Sequence, residues 1–334
     1  MNPTAADVRE YDRFGPWIDE VAVPEDVPKL FGSHPIDLTT TRIVLKVPRN
    51  VARRDAVAGM DLYDHLVILD EERLTVLSRR DAKAARAVTG GDGTGYDVRS
   101  VQVADVVAIR DDLNLLDGRL TVSSSGGTSI SFGYNGSAHD KATRFVDELR
   151  SRAGAARVSS VGSALMRAGS AVTDVQAVPN PGAADTYLVS RFLKLRAANP
   201  GLTVWASHGR QRVFPQLGGL RGALTRASHA VSPMTLHGAA FLADGTALEV
   251  LGRRDWLARG RGPDYSTLRL LIPLGAPDGL EVVAHAVYPN VAVATIRVGG
   301  WSTEIAVPRE SEAERLLSAA APGRPGLRSP PTEP

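Results

Sequence analysis

Leu66-Val-Ile-Leu-Asp70 leads into Arg73-Leu-Thr-Val-Leu-Ser-Arg79-Arg80-Asp81, and 174 residues on the same order returns as Ala240-Phe-Leu-Ala-Asp244 and Ala247-Leu-Glu-Val-Leu-Gly-Arg253-Arg254-Asp255. The aspartate, the Leu-x-Val-Leu run and the closing Arg-Arg-Asp keep register. Further along, Gly126-Gly-Thr-Ser-Ile-Ser-Phe-Gly-Tyr134 is answered by Gly299-Gly-Trp-Ser-Thr-Glu-Ile-Ala-Val307 at an offset of 173. A repeat of this length is far beyond the roughly 20–50 residues of solenoid and propeller units. The chain therefore reads as a whole domain written twice.

Within the first copy, alternating apolar residues predict strands at Thr41–Val47, Leu66–Asp70, Leu74–Ser78, Val98–Val103, Val106–Ile109, Leu120–Ser124 and Thr128–Tyr134. Ile130, Phe132 and Tyr134 share one face of the last. Spacers rich in Asp, Gly and Asn suit antiparallel hairpins, with the strongest turns expected at Asp117-Gly118 and Gly126-Gly127. One helix follows. Ser137 is expected to cap it with Asp140 as capping-box partner, and Ala142, Phe145, Val146 and Leu149 form its apolar stripe. In the second copy Ser311, Glu314 and the stripe Ala313, Leu316, Leu317, Ala320 repeat the arrangement.

About seven antiparallel strands closed by one C-terminal amphipathic helix is the element order of the pleckstrin-homology superfold. The chain resembles a tandem of bacterial pleckstrin-homology-like domains. That resemblance implies a mainly β fold with α (α+β): two duplicated antiparallel barrel or sandwich domains, each plugged by its terminal helix. It covers most of 36–152 and the later part of 186–321.

Five segments follow. Residues 1–35 are an acidic leader whose Phe14, Trp17, Ile18 and Phe31 are expected to dock on the first domain as an extended strap, since Pro16, Pro24 and Pro28 forbid a long helix. Residues 36–152 are domain 1. The Ala/Ser/Gly-rich 153–185 form a linker with a weak helix around Val158–Val172. Residues 186–321 are domain 2, which departs from the first by opening on a helix: Leu188, Phe192 and Leu195 share a face, and Asn199-Pro200-Gly201 stops it. Its first strand is then Leu202–Ser207, and Pro215–Gly238 is an insertion or long loop. The proline-rich 322–334 form a disordered tail.

Composition narrows the function classes. At 334 residues with 43% hydrophobic and 23% charged positions, the chain can bury two modest cores. A net charge of +2 argues against a broad nucleic-acid surface. The absence of cysteine removes disulfides, thiolate metal sites and cysteine nucleophiles. Without an apolar signal or spanning run, a cytoplasmic location is expected.

Little in the chain assembles chemistry. Gly90-Gly-Asp-Gly-Thr94 resembles the nucleotide motif of diacylglycerol and NAD kinases, but it lacks the preceding apolar strand and has no counterpart in Ala258–Asp264. A hairpin loop is expected there instead. The seven histidines show no zinc spacing and are expected at the surface or its boundary. The pairs Asp111-Asp112 and Glu71-Glu72 are expected as solvated turn charges. No catalytic residue, metal site or cofactor is assigned.

The remaining candidates are Arg79, Arg80, Arg253 and Arg254, which close equivalent strands and open loops. The resemblance implies basic residues of this kind around early strand loops, where a planar guanidinium fork grips phosphate. Asp81 and Asp255 beside them suit strand-end charge equally well. Three readings follow: a non-catalytic binding or scaffold protein acting on a protein or peptide, a peripheral membrane protein holding anionic lipid through the Arg loops, and a nucleotide-dependent lipid kinase using Gly90–Thr94.

Overall fold

A computed structural model describes residues 3–80, 95–153, 157–171, 177–216, 232–260 and 264–322. The chain opens with helix α1 (Ala5–Arg13), short strand β1 (Asp19–Glu20) and then β2 (Ile43–Pro48), β3 (Tyr63–Leu69), β4 (Arg73–Arg79) and β5 (Tyr96–Gln102). These strands pair in chain order as a five-stranded antiparallel sheet. Next come β6 (Val106–Asn114), β7 (Asp117–Ser124), β8 (Ser129–Asn135) and helix α2 (His139–Ala153). Helices α3 (Ser160–Ser170) and α4 (Tyr187–Ala198) lead to the second half.

That half contains β9 (Thr203–His208), β10 (Gln211–Val213), β11 (Met234–Leu236), β12 (Ala239–Ala243), β13 (Ala247–Gly252), β14 (Leu257–Arg259) and β15 (Ser266–Pro273). It ends with β16 (Gly279–Ala284), β17 (Val291–Val298), β18 (Trp301–Pro308) and α5 (Glu312–Ala320). The fold is α+β, built mostly from antiparallel sheets with few helices. Among the described residues no sheet closes on itself into a barrel. No helix among the described residues is long and apolar enough to cross a membrane.

The two halves meet in one sheet. Its order is β8-β7-β6-β15-β13-β12-β9, so three strands come from the first half and four from the second. The seam pairs β6 with β15 antiparallel, from Ser266 opposite Asn114 to Leu271 opposite Ile109. Because side chains alternate across a strand, each face of the seam enters a different core. Ile109, Leu271 and Ala247 join Phe145, Val146 and Leu149 of α2 in the first core. Ala108, Leu268 and Leu270 join Leu316 and Leu317 of α5 in the second. The central sheet is thus a shared wall, and burial on either side stabilises both halves at once.

Local chemistry explains where several elements begin and end. The leader does dock: Phe14, Ile18 and Phe31 are buried, whereas Trp17 remains exposed. Its start is helical rather than extended, because Thr4 and Asp7 form a reciprocal capping box ahead of the prolines. Helix α2 is not capped by Ser137 and Asp140. A short 3-10 turn at Gly136–Ala138 precedes it, and Asn135 accepts from the Ser137 N–H. Ser311 does cap α5, accepting from the Glu314 N–H at 3.1 Å. Glu314 reaches back one residue further than a capping box requires, to the Glu310 N–H. Helix α4 buries Leu188, Phe192 and Leu195 and stops at Asn199, and α3 occupies the expected weak helix.

Two sequence expectations fail for the same reason, namely packing across the sheet. Asp117-Gly118 is not a turn; both residues lie inside β7, and the reversal falls at Leu115, whose φ is 54°. Gly118 is small because a Cβ there would fall 2.5 Å from the Tyr134 ring. Asp111 and Asp112 are likewise not solvated turn charges. Both are buried in β6 at the seam.

Candidate functional site

The four arginines occupy two separate strand ends, one in each half. Arg79 closes β4, and its Nε donates to Asp64 Oδ1 at 2.8 Å. Arg80 Nε donates to Asp97 Oδ1 at 2.5 Å, crossing to β5. Arg253 is withdrawn further. It is 8% exposed, its Nε and Nη2 reach Asp185 Oδ1 at 3.1 and 2.9 Å, and its guanidinium stacks on the Tyr187 ring at 4.0 Å. Nη1 donates to the Ser266 carbonyl at 2.8 Å. Arg254 takes part through its backbone, its N–H donating to Ser266 Oγ and its carbonyl accepting from Arg110. Opposite charge and backbone acceptors therefore engage Arg79, Arg80 and Arg253 within the fold.

Two clefts lie near these strand ends. The first, of about 530 Å³, runs between the β2–β3 connection and the β7–β8 strands, with Arg49, Asp64, His65 and Asn135 on its walls. Asp64 is the residue that holds Arg79, so that arginine borders the cleft through its partner. His65 Nδ1 and Ser78 Oγ share a hydrogen bond of 3.0 Å, and burial pushes the His65 pKa down. The second cleft, of about 320 Å³, is lined by Arg210, His237, Arg259, Asp264 and Tyr265. His237 is 1% exposed, with Nε2 3.3 Å from Asp264 Oδ2. Burial first, and the Arg210 charge second, push its pKa below the ordinary histidine value.

His208 and His237 are thus core residues, not the surface or boundary residues expected from the sequence. Among the described residues no hydrogen bond joins His237 to a Ser, Thr or Tyr hydroxyl, and no cluster of three His, Asp or Glu is placed to hold a metal. The second cleft is lined by guanidinium groups, and both ring nitrogens of His237 are buried. Among the described residues lining it, no nucleophile, base and oxyanion donor are assembled.

A third set of polar groups lies along the seam. Arg269 of β15 is 2% exposed and donates through Nε to Glu249 at 2.9 Å, with Asp147 of α2 2.8 Å from Nη2. Burial opposes its charge, but Glu249 and Asp147 outweigh it and raise the Arg269 pKa. Arg150 of α2 lies 2.8 Å from Glu249 and hydrogen-bonds Asp244, the repeated aspartate of the second copy. Asp111 accepts from Tyr134 Oη at 2.6 Å and from Arg191 of α4 at 3.3 Å. These groups tie α2 and α4 to the shared sheet and are closed to a ligand.

Among the described residues, sheet edges are also exposed. β5 ends the five-stranded sheet and β16 ends the three-stranded sheet β16-β17-β18. Val98 on β5 is 50% exposed and Val283 on β16 is 36% exposed. Sequence reasoning missed both edges, because strand order cannot be read from local pattern. Gly90–Thr94 lies outside the described residues, as do 261–263 of the second Arg loop. Comparison with family models, curated proteins and solved structures finds no match for this chain.

Proposed function

We propose that the chain is a non-catalytic binding protein whose two halves are pleckstrin-homology-like modules, joined at the seam, that engage a protein partner by strand addition at a free sheet edge. The observation that carries this reading is the pair of terminal strands β5 and β16 with exposed valines. An unpaired strand presents a row of backbone donors and acceptors, and an added strand gains main-chain hydrogen bonds there while side-chain pockets set specificity. The modular part rests on element order. Each half has a run of four longer strands, β2–β5 and β9, β12, β13, β15, then three strands and a terminal helix.

A protein partner is favoured over anionic lipid because Arg79 and Arg253 already hold Asp64 and Asp185. The test is affinity capture from the source cell on the immobilised full chain, alongside the V98P and R79S/R80S variants. Val98→Pro should lose the captured protein and R79S/R80S should keep it. The reverse result would move the site to the Arg loops, and identical capture by all three would overturn edge binding at β5.

A further inference from the structure

We propose that a second copy of this chain supplies the added strand, with β16 of one copy pairing antiparallel to β5 of the next, head to tail. The inference rests on the strand-addition reading and names its partner. The molecule already contains the pattern. At the seam, the first strand of a three-stranded run (β6) pairs with the last strand of a four-stranded run (β15). β16 is the second half's counterpart of β6, and β5 is the first half's counterpart of β15. Each of these two ends its sheet. The seam is therefore a heterologous contact whose two complementary edge strands recur in β5 and β16, the kind of contact that generates chains or rings of copies.

The register can be transferred strand by strand. The repeat aligns Arg73 with Ala247, which face Gln102 and Pro273 respectively, so Val98 stands where Arg269 does. The glycine repeat aligns Phe132 with Ile305. Phe132 leads through Leu120 to Asp111, and Ile305 leads through Ala294 to Val282, so Val282 stands where Asp111 does. Arg269 faces Asp111 at the seam. The same pairing between copies sets Val98 opposite Val282 and, one step on, Arg99 opposite Glu281.

Hydrogen-bond alternation agrees with this register. The Arg80 N–H donates to the Gly95 carbonyl, which turns the backbone groups of Tyr96, Val98 and Ser100 away from β4. On β16 the His285 N–H donates to the Val291 carbonyl, which turns those of Leu280, Val282 and Ala284 away from β17. Val98 and Val282 thus meet as a hydrogen-bonded pair. Arg99 and Glu281 meet as the closer, non-hydrogen-bonded pair, where opposite charges interact best. Arg99 is exposed and Glu281 has a 53% exposed side chain beside Arg297, so both are accessible.

The test is sedimentation velocity of the purified full chain over a wide concentration range. Wild type should form species heavier than the monomer as concentration rises. Val98→Pro removes an N–H that makes no bond within its own sheet, the position where an edge strand tolerates proline, and should leave a monomer. Should that variant misfold, the charge reversals decide instead. R99E alone and E281R alone should each weaken association by roughly tenfold, and mixing the two chains should restore it, because each then meets an opposite charge. A wild-type chain that stays monomeric throughout, or a mixture no better than its components, overturns the proposal. If the chain is monomeric yet Val98→Pro loses a captured protein, strand addition stands and only self-pairing falls.

Discussion

Asp111 on β6 faces Arg269 on β15 across the seam, yet each takes its nearest partners elsewhere. Asp111 binds Tyr134 and Arg191, while Arg269 binds Glu249 and Asp147. The seam is therefore tied from both sides, to α2 and to α4. Removing one member of such a network strands a buried charge, which typically costs about 3–5 kcal/mol. Arg269→Ala should lower stability by about that amount in urea unfolding, with both halves unfolding in one transition. A loss below about 1 kcal/mol, or two separated transitions, would deny the seam its role.

Gly118 and Tyr134 make a second, local test. With the Tyr134 ring 2.5 Å from where a Cβ would stand, Gly118→Ala must displace the ring from its hydrogen bond to Asp111. Overpacking of this kind costs about 1–3 kcal/mol. In a Tyr134→Ala background the same substitution should cost far less, a non-additivity that a double-mutant cycle measures directly.

The paired arginines should behave unequally. Arg253→Ala leaves Asp185 buried at 0% exposure, so a loss of about 3–5 kcal/mol is expected. Arg254 contributes through its backbone, and Arg254→Ala should change stability by no more than about 0.5 kcal/mol. The full chain should not sediment with anionic vesicles under conditions where neutral vesicles leave it in solution. Clear sedimentation would revive the lipid reading.

How much of this was legible in sequence depended on the range of the interaction. The strands around Leu66, Leu74 and Ile130, helix α4 and the Ser311 cap follow from short-range periodicity and capping, and all are present. The burial of Asp111 was not legible, because its partners Tyr134 and Arg191 come from different elements, and that of Asp112 follows from the pairing of β6 with β15 rather than from its near neighbour Arg110. Asp185 and Arg253 lie 68 residues apart, and nothing local announces their contact. The seam was hidden for the same reason. Two domains read as separate units, 36–152 and 186–321, contribute strands to one sheet.

Acid should weaken the fold before its carboxylates titrate. Burial depresses the His208 pKa to about 4, well below its ordinary value. A histidine whose folded pKa is depressed binds its proton more readily when unfolded. Its contribution is therefore full above about pH 6.5 and is lost as pH falls toward 4. At about 1.4 kcal/mol per unit, this amounts to up to about 3 kcal/mol. His65, His139 and His237, also pushed down by burial, add the same sign. Urea midpoints should fall from pH 7 to pH 5, with a shallower slope in His208→Gln. An unchanged slope in that variant would remove His208 from the account.

The most direct test of the architecture is amide hydrogen exchange on dilute full-length protein. The N–H groups of Ile109, Asp111, Arg269 and Leu271, which join the two halves, should exchange only with global unfolding. Those of Val98, Ser100, Val282 and Ala284, at the open edges, should exchange fast in the monomer and slow as concentration rises. Rapid exchange at Asp111 and Arg269, as from two unpaired edges, would contradict a shared sheet.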